Sequence, residues 1–260
     1  MSSRIHASNK VSSFVTVVLA GALTLALPAD AIAGVSGSVA LTSDYIFRGI
    51  SQNNQEPALQ AGVEYADDSG FYVGSWGSNV SWLSDTPVVD NDISNSVELD
   101  FYGGYRGKFN DTVGFDVGAL YYWYPGDYPS GFNSPDTGEL YFGISAGQLE
   151  TGLFAAKYSY ALTDLFGYAD SDGSGYLDAA MNWEFVPTWT LNAHAGKQWI
   201  ESNEDFEYVD WKLGVTKTFE GGFAIALAYT DTDAEEALYT NVHGNFLGED
   251  TVVLTLTKTF

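Results

Sequence analysis

Charged side chains recur in this sequence at every second position of segments whose other positions are apolar. Such spacing places the charges on one face of a β-strand, where they would line a polar interior. Most of these residues are carboxylates, and a few fixed cations lie among them. We therefore predict an acidic pore lining that favours cations or neutral polar solutes over anions. The charged residues on this inner phase are Asp44, Arg48, Glu56, Glu64, Glu98, Asp100, Arg106, Asp116, Glu139, Lys157, Asp178, Glu184, Asp210 and Lys212.

The same residues have a second interpretation. Opposite charges on neighbouring strands could pair with each other and fill a narrow barrel, so that the interior is stable but closed. The sequence leaves both interpretations open, because a barrel of about twelve strands lies between filled eight-stranded barrels and open sixteen-stranded porins. Asp44 with Arg48, and Glu98 and Asp100 with Arg106, are the groups whose mutation would best separate the two interpretations.

Catalytic chemistry is not favoured by the residues present. Barrels that act as lipases, acyltransferases or proteases need a Ser or Asp activated by a positioned His. After residue 33 the chain has only His194 and His243, and neither lies in a serine motif or in a metal-ligand spacing. We predict that the protein is not an enzyme and needs no cofactor, and that His194 is a hydrogen-bonded residue of the barrel interior.

Acidic residues also cluster in the long connections. Asp170-Ser171-Asp172-Gly173 begins like a calcium-binding loop, but Met181 stands at the twelfth position, where such a loop needs a bidentate Glu. We therefore predict an ordinary solvated loop and no metal site, with Asp170 and Asp172 as the remaining loop candidates. Divalent cations at the acidic loops could still bridge to lipopolysaccharide phosphates.

These residues require strands to position them. About twelve segments have the ~10 residues that a tilted membrane-spanning strand needs, each with one apolar and one polar face. In the last of them Val252, Leu254 and Leu256 are in phase with Phe260, and threonines occupy the opposite face. The predicted strands cover residues 35–48, 56–65, 71–82, 96–106, 112–123, 138–147, 151–161, 175–186, 189–198, 207–219, 223–230 and 250–260.

The connections between these segments alternate between tight turns and long loops. Tight turns on one side and long loops on the other are typical of outer-membrane barrels, whose short turns face the periplasm and whose long loops are extracellular. A soluble β-sandwich would have no reason to sort its loops in this way, and it would need a core at the polar positions. We predict an all-β fold, a transmembrane antiparallel β-barrel formed by residues 34–260.

The first 33 residues have the features of a cleaved signal peptide. Arg4 and Lys10 precede an uncharged stretch from Val11 to Leu27, and Ala31-Ile32-Ala33 supplies small residues for a signal peptidase. A retained membrane anchor is the alternative, and the helix-breaking Pro28 argues against it. The sequence contains no cysteine, so it has neither a lipid-anchoring cysteine nor a disulfide. The net charge of −24 argues against nucleic acid as a partner.

Two sequence motifs support this interpretation. The segment Leu41-Thr42-Ser43-Asp44-Tyr45-Ile46-Phe47-Arg48-Gly49-Ile50-Ser51-Gln52, followed by Pro57-Ala58-Leu59-Gln60, resembles the N-terminal signature of the TorF, or Gcw_chp, family of proteobacterial porin-like proteins. Glu98-Leu99-Asp100-Phe101-Tyr102-Gly103-Gly104-Tyr105 is similar to that family's second motif. The resemblance implies a barrel in the bacterial outer membrane with a porin-like character, but it implies no particular substrate.

Together these observations predict an outer-membrane channel for passive diffusion of small polar solutes or ions, with a preference for cations. Its other partners would be outer-membrane lipid and lipopolysaccharide. The first alternative is a closed barrel that acts through its acidic loops as a receptor, an adhesin or a structural protein. A lipid-modifying enzyme is the least favoured alternative.

Overall fold

The computed structural model describes residues 34–86, 93–148 and 150–260. The predicted signal peptide, together with Asp90 and Asp92 of an acidic loop, lies outside these residues. The strands are β1 (Gly34–Thr42), β2 (Ile46–Phe47), β3 (Ile50–Ser51), β4 (Ala58–Ala66), β5 (Phe71–Asn79), β6 (Val97–Asn110), β7 (Val113–Trp123), β8 (Thr137–Gln148), β9 (Gly152–Ala161), β10 (Gly175–Val186), β11 (Trp189–Trp199), β12 (Tyr208–Phe219), β13 (Phe223–Thr232) and β14 (Thr251–Thr259).

Twelve of these strands form one closed antiparallel barrel, which confirms the predicted fold class. Each strand pairs with its neighbours in the chain, and β1 closes the ring by pairing with both β4 and β14. The two remaining strands, β2 and β3, pair only with each other. Because the side-chain period of a strand is two residues, this register sends every second side chain inward around the whole ring.

The outer surface of the barrel is apolar. Many of its aliphatic side chains are exposed, as a lipid-facing surface requires. Aromatic residues lie near both ends of the strands, where interfacial girdles form: Phe71, Trp189 and Phe219 at the short-turn end, and Trp123 and Trp199 at the long-loop end. The exposed aliphatic residues of the wall include Val35, Leu41, Leu59, Val63, Leu140, Ile144, Leu213, Ile225, Leu227, Val252, Leu254 and Leu256.

Within the residues described, helical structure is confined to the long loops. A 3-10 turn spans Glu204–Phe206, and the short helix α1 spans Glu236–Tyr239. No helix within the described residues is long and apolar enough to cross a bilayer.

The first predicted strand is wrong at its C-terminal end. The wall strand β1 ends at Thr42, and residues 43–57, which we call the inner hairpin, fold into the barrel as β2 and β3. Apolar alternation continues through Tyr45 and Phe47 because these rings pack inside the barrel and not against lipid; Tyr45 is only 2% exposed. The positive φ angles of Arg48 (46°) and Gly49 (80°) then make the tight turn between β2 and β3.

Candidate functional site

The tip of the inner hairpin touches the barrel wall. A Cβ atom on Gly49 would lie 2.5 Å from both Asp210 Cβ on β12 and Thr232 Cγ2 on β13. Together with the positive φ of this residue, the close approach means that only glycine fits. The backbone of the tip is therefore held directly against β12 and β13, with no side chain between them.

Arg48, next to the tip, contacts the wall at two further places: at β8, far from β1 and β4 in the order of the barrel, and at β11, which neighbours β12. Its Nη2 donates to both carboxylate oxygens of Glu139 on β8 at 2.8 Å, and its Nη1 donates to Gln198 Oε1 on β11 at 2.9 Å. The guanidinium carbon also lies 4.4 Å from the centre of the Tyr176 ring. The side chains of Arg48 and Glu139 are 7% and 1% exposed. This charge-assisted ion pair holds the inner hairpin in place across the barrel interior.

The base of the inner hairpin is fixed by its own hydrogen bonds. Ser51 Oγ donates to Asp44 Oδ1 at 2.7 Å, and the Gln52 backbone N–H donates to the Tyr45 carbonyl at 2.8 Å. The Tyr45 hydroxyl donates to Glu98 Oε1 on β6 at 3.3 Å. Burial raises the pKa of the Asp44 carboxyl to about 6, since its hydrogen bonds offset only part of the desolvation cost.

A second group of charges lies nearer the short turns. Arg106 on β6 donates to both oxygens of Glu64 at 2.6 and 2.9 Å, and to Asp116 at 3.3 Å. The Tyr72 ring lies 3.6 Å from the Arg106 guanidinium carbon, and its hydroxyl donates to Asp116 at 2.5 Å. The charges within this group are paired, so it ties β4, β6 and β7 together at this level of the barrel.

A third group surrounds His194 on β11. Its Nδ1 lies 3.0 Å from Asp178 Oδ1, and its Nε2 lies 2.7 Å from Asp210 Oδ1. The Tyr176 hydroxyl donates to the other oxygen of Asp210 at 2.8 Å. Because each ring nitrogen faces a carboxylate, the arrangement suits an imidazole that donates from both nitrogens. In the barrel register His194 stands directly beside Lys212.

The inner hairpin separates two chambers of the barrel interior. The chamber towards the long loops, which we call the aromatic chamber, is lined by rings such as Phe132, Phe166, Tyr168 and Tyr208. The other, which we call the polar chamber, is lined by Asp44, Gln60, Trp76, Asp100, Tyr102, Lys157, Asp178, His194, Asp210 and Lys212, among others. Phe47 and Arg48 line both chambers, so they mark the constriction between them.

Most of the predicted pore-lining residues point inward, although they fall into separate groups. Asp44, Glu98, Asp100, Asp116, Glu139 and Asp210 are buried within the barrel, and Arg48, Glu64, Arg106, Lys157, Asp178 and Lys212 are partly buried there.

Glu56 differs from the prediction: it is exposed and precedes β4, because the strand begins at Ala58. Glu184 lies by a tight turn, where it accepts the Thr188 N–H at 2.6 Å. Asp170 and Asp172 are exposed, and the described residues contain no group of three or more His, Cys, Asp or Glu side chains placed to hold a metal ion.

Uncharged residues that the sequence alone does not single out complete these groups. Tyr72, Tyr122 and Tyr176 hydrogen-bond the charged side chains, and Gln198 binds Arg48. Each lies on the inward phase of its strand, so the alternation contained the signal. It was obscured because a tyrosine counts equally well as a lipid-facing residue and as a hydrogen-bonding residue of the lumen.

Comparison with known proteins supports this architecture. The KdgM porin is 8% identical and superposes with a TM-score of 0.55, covering 86% of this chain and 98% of its own. The NanC porin is 11% identical, with a TM-score of 0.55 and coverage of 87% and 99%. The KdgM porin in complex with disordered oligogalacturonate is 7% identical, with a TM-score of 0.54 and coverage of 87% and 97%. At such identities the likeness shows the fold alone.

Comparison of the sequence itself identifies a family but no individual curated relative. No curated protein matches this sequence. Residues 27–260 match the model of the Gcw_chp family, which is described as a bacterial protein family of unknown function. The matched range includes every residue that the structure describes, among them the inner hairpin, which contains most of the first signature motif. The chain therefore belongs to the Gcw_chp family.

Proposed function

We propose that this protein is a porin-like channel of the bacterial outer membrane, through which small polar solutes and ions diffuse passively with a preference for cations. The observation that supports this most directly is a closed barrel with an apolar outer surface and an interior lined with ionisable groups. The porin fold of the structural neighbours supports the same function. The long loops would face outward and the tight turns would face the periplasm.

Cation preference follows from the balance of charges inside the barrel. Arg48 and Arg106 are neutralised by Glu139 and Glu64. Among the other inward-facing ionisable side chains, the acidic ones outnumber the basic ones: Asp44, Glu98, Asp100, Asp116, Asp178 and Asp210 against Lys157, His194 and Lys212. From this excess we infer a negative field in the interior. A field of this sign concentrates cations and repels anions. The KdgM neighbour was solved in complex with disordered oligogalacturonate, and we propose a different preference for this barrel.

The inner hairpin would set the size limit of the channel. Arg48 crosses the interior to Glu139, and solutes would have to pass beside this pair when they move between the two chambers. Conduction would therefore depend on the position of the inner hairpin as well as on the fixed barrel wall.

Single-channel recording of the refolded protein in planar bilayers under a salt gradient tests this function. We expect discrete steps with a cation-selective reversal potential. Glu98→Gln combined with Asp100→Asn should shift that potential towards zero, whereas Asp172→Asn, which removes an exposed loop charge, should not. A folded barrel that gives no steps, or steps that select anions, would contradict the proposal.

A closed barrel that acts through its loops is the second candidate. The observation that favours it is the deep burial of the Arg48–Glu139 pair, which stands directly across the interior. In this case the aromatic chamber, rather than a through-pore, would meet external ligands. Bilayers containing the folded protein would then stay silent even when the inner hairpin is released by mutation.

We propose no catalytic role for the barrel. Both ring nitrogens of His194 already face carboxylates, so the ring offers no free nitrogen to activate a nucleophile. His243 lies on the exposed surface of the last long loop, 3.1 Å from Asp85.

A further inference from the structure

Three residues of the polar chamber carry buried polar atoms that have no hydrogen-bond partner. Asp44 Oδ2, Asp100 Oδ1 and both amide atoms of Gln60 are buried and unbonded. The three residues are 5%, 4% and 1% exposed, and all of them line the polar chamber. A buried carboxylate or amide without a partner is costly, and such groups in a native protein require an explanation.

The barrel register brings two of these groups to one side of the lumen. Gln60 on β4 pairs with Ser78 on β5, which in turn pairs with Glu98 on β6. On the adjacent row Trp76 pairs directly with Asp100. Gln60 and Asp100 are therefore two strands and one inward row apart, on either side of Trp76, and all three residues line the polar chamber.

The inner hairpin supplies the third group. Asp44 is held in place because Ser51 Oγ donates to its Oδ1, which leaves Oδ2 as the unbonded atom. The neighbouring Tyr45 ring packs edge-on against Trp76, with ring centres 5.4 Å apart. This contact places the start of the inner hairpin over the wall patch that carries Gln60 and Asp100.

The three acceptors match one kind of ligand. An ammonium group, –NH₃⁺, has three N–H donors and no acceptor, and Asp44, Asp100 and the Gln60 carbonyl offer three oxygens. Its positive charge would also compensate the two carboxylates. Trp76 and Tyr102 line the same chamber, and aromatic rings attract organic cations.

We propose that Asp44, Gln60 and Asp100 form a binding site for the primary ammonium group of a small organic solute. This site rests on the proposed function and adds to it, because it identifies primary ammonium compounds as a class of solute that would bind transiently within the channel. The ammonium would lie in the polar chamber just beyond the Arg48 constriction.

The opposite wall supports this orientation. In the order of the barrel, β10, β11 and β12 stand across from β4, β5 and β6. On that side Asp178 and Asp210 are both engaged by His194, and Lys212 lies beside His194 in the register. The lysine repels a cationic group, so an ammonium in the polar chamber is directed towards Asp44 and Asp100.

Ligand-detected NMR titration of ethylammonium against the refolded barrel in non-ionic detergent at pH 8 tests the site independently of conduction. We expect saturable binding of ethylammonium. Tetramethylammonium, which has no N–H donor, should compete only weakly for the same site. Equal or tighter binding of tetramethylammonium, potassium or magnesium would overturn the assignment, because it would indicate an aromatic cage or a general cation site.

The variants locate the binding. Asp100→Asn should weaken ethylammonium binding at least about tenfold, since it removes a charged acceptor. Gln60→Leu, which keeps every charge in place, should also weaken it. The control Asp172→Asn makes the same chemical change as Asp100→Asn on an exposed loop and should have no effect. Heat-modifiable gel mobility establishes that each variant is folded. Undiminished binding in both folded lumen variants would overturn the proposal.

Single-channel recording with ethylammonium on one side separates this proposal from the proposed function. A barrel that conducts but neither binds ethylammonium nor is blocked by it would refute the site and leave the channel in place. A barrel that binds ethylammonium through Asp100 but never conducts would support the site and refute the channel.

Discussion

Replacing Glu139 by Gln should release the inner hairpin. The substitution keeps the size of the side chain but removes the charge that Arg48 meets at 2.8 Å in a site where the two side chains are 7% and 1% exposed. Removing one partner of a buried ion pair costs about 3–5 kcal/mol, because the other charge is left uncompensated. Gln198 and the Tyr176 ring still contact Arg48, so we take the lower end of this range.

A cost of about 3 kcal/mol corresponds to roughly a hundredfold change in the ratio of seated to released hairpin. The Gln52 amide reports this ratio directly, because its N–H donates to the Tyr45 carbonyl only while the inner hairpin is formed. Hydrogen exchange of the refolded variant should therefore show about a hundredfold loss of protection at Gln52. In bilayers the same variant should show a larger mean conductance than the parent protein, because a released inner hairpin no longer narrows the channel.

Glu64→Gln is the matched control. It makes the same chemical change opposite another arginine, but Arg106 lies near the short turns and keeps Asp116 as a partner. Protection at Gln52 should not change in this variant. If Glu139→Gln left Gln52 as protected as in the parent protein, the Arg48 pair would not be what holds the inner hairpin, and the constriction would need another explanation.

Three further predictions concern the pH response, the hairpin tip and the lipid-facing wall. The folded protein binds the Asp44 proton more tightly than the unfolded chain does, with a pKa of about 6 against 3.8. The inner hairpin should therefore be most stable below about pH 4 and lose up to roughly 3 kcal/mol as the pH rises through 6, and Asp44→Asn should remove this dependence of Gln52 exchange. Gly49→Ala should displace the tip and lower protection at Gln52, whereas Gly131→Ala, at a similar positive φ of 84° with nothing within 4 Å, should leave it intact. Leu213→Arg, on the outer surface of β12, should lower the free energy of unfolding by about 2–4 kcal/mol in denaturant titrations from lipid vesicles, and an equally stable variant would argue against lipid contact at this position.

The wall of the barrel could be predicted from the sequence because a strand between lipid and water has a strict period of two. Each of the twelve wall strands was located, and the shift at β4, from residue 56 to Ala58, is typical of the uncertainty at strand ends. The order of short turns and long loops could be predicted as well, because these connections are the segments left between the alternating strands. These features depend on local chain geometry, which the sequence expresses directly.

The inner hairpin could not be predicted in this way. The alternation of Tyr45 and Phe47 is the same whether the rings face lipid or pack inside, and only the contact with Trp76 and the Arg48 pair distinguish the two. The partners of Arg48 lie 91 and 150 residues away along the chain, and a pattern of single residues contains no information about such distant pairs. For the same reason the sequence could not predict that His194 contacts Asp178 and Asp210.

The closure of the barrel has a consequence for the order in which the molecule assembles. Strand β1 pairs with β4 along its whole length, whereas its pairing with β14 covers only Ser38–Thr42, extended by reciprocal backbone bonds between Gly37 and Phe260. Adjacent hairpins can form as local units, but this seam joins the most distant strands and must wait for the last of them. The inner hairpin leaves the wall at the seam strand, and its anchor on β8 reaches it only once the sheet has curled. Refolding should therefore bring wall closure and hairpin docking together in one late step.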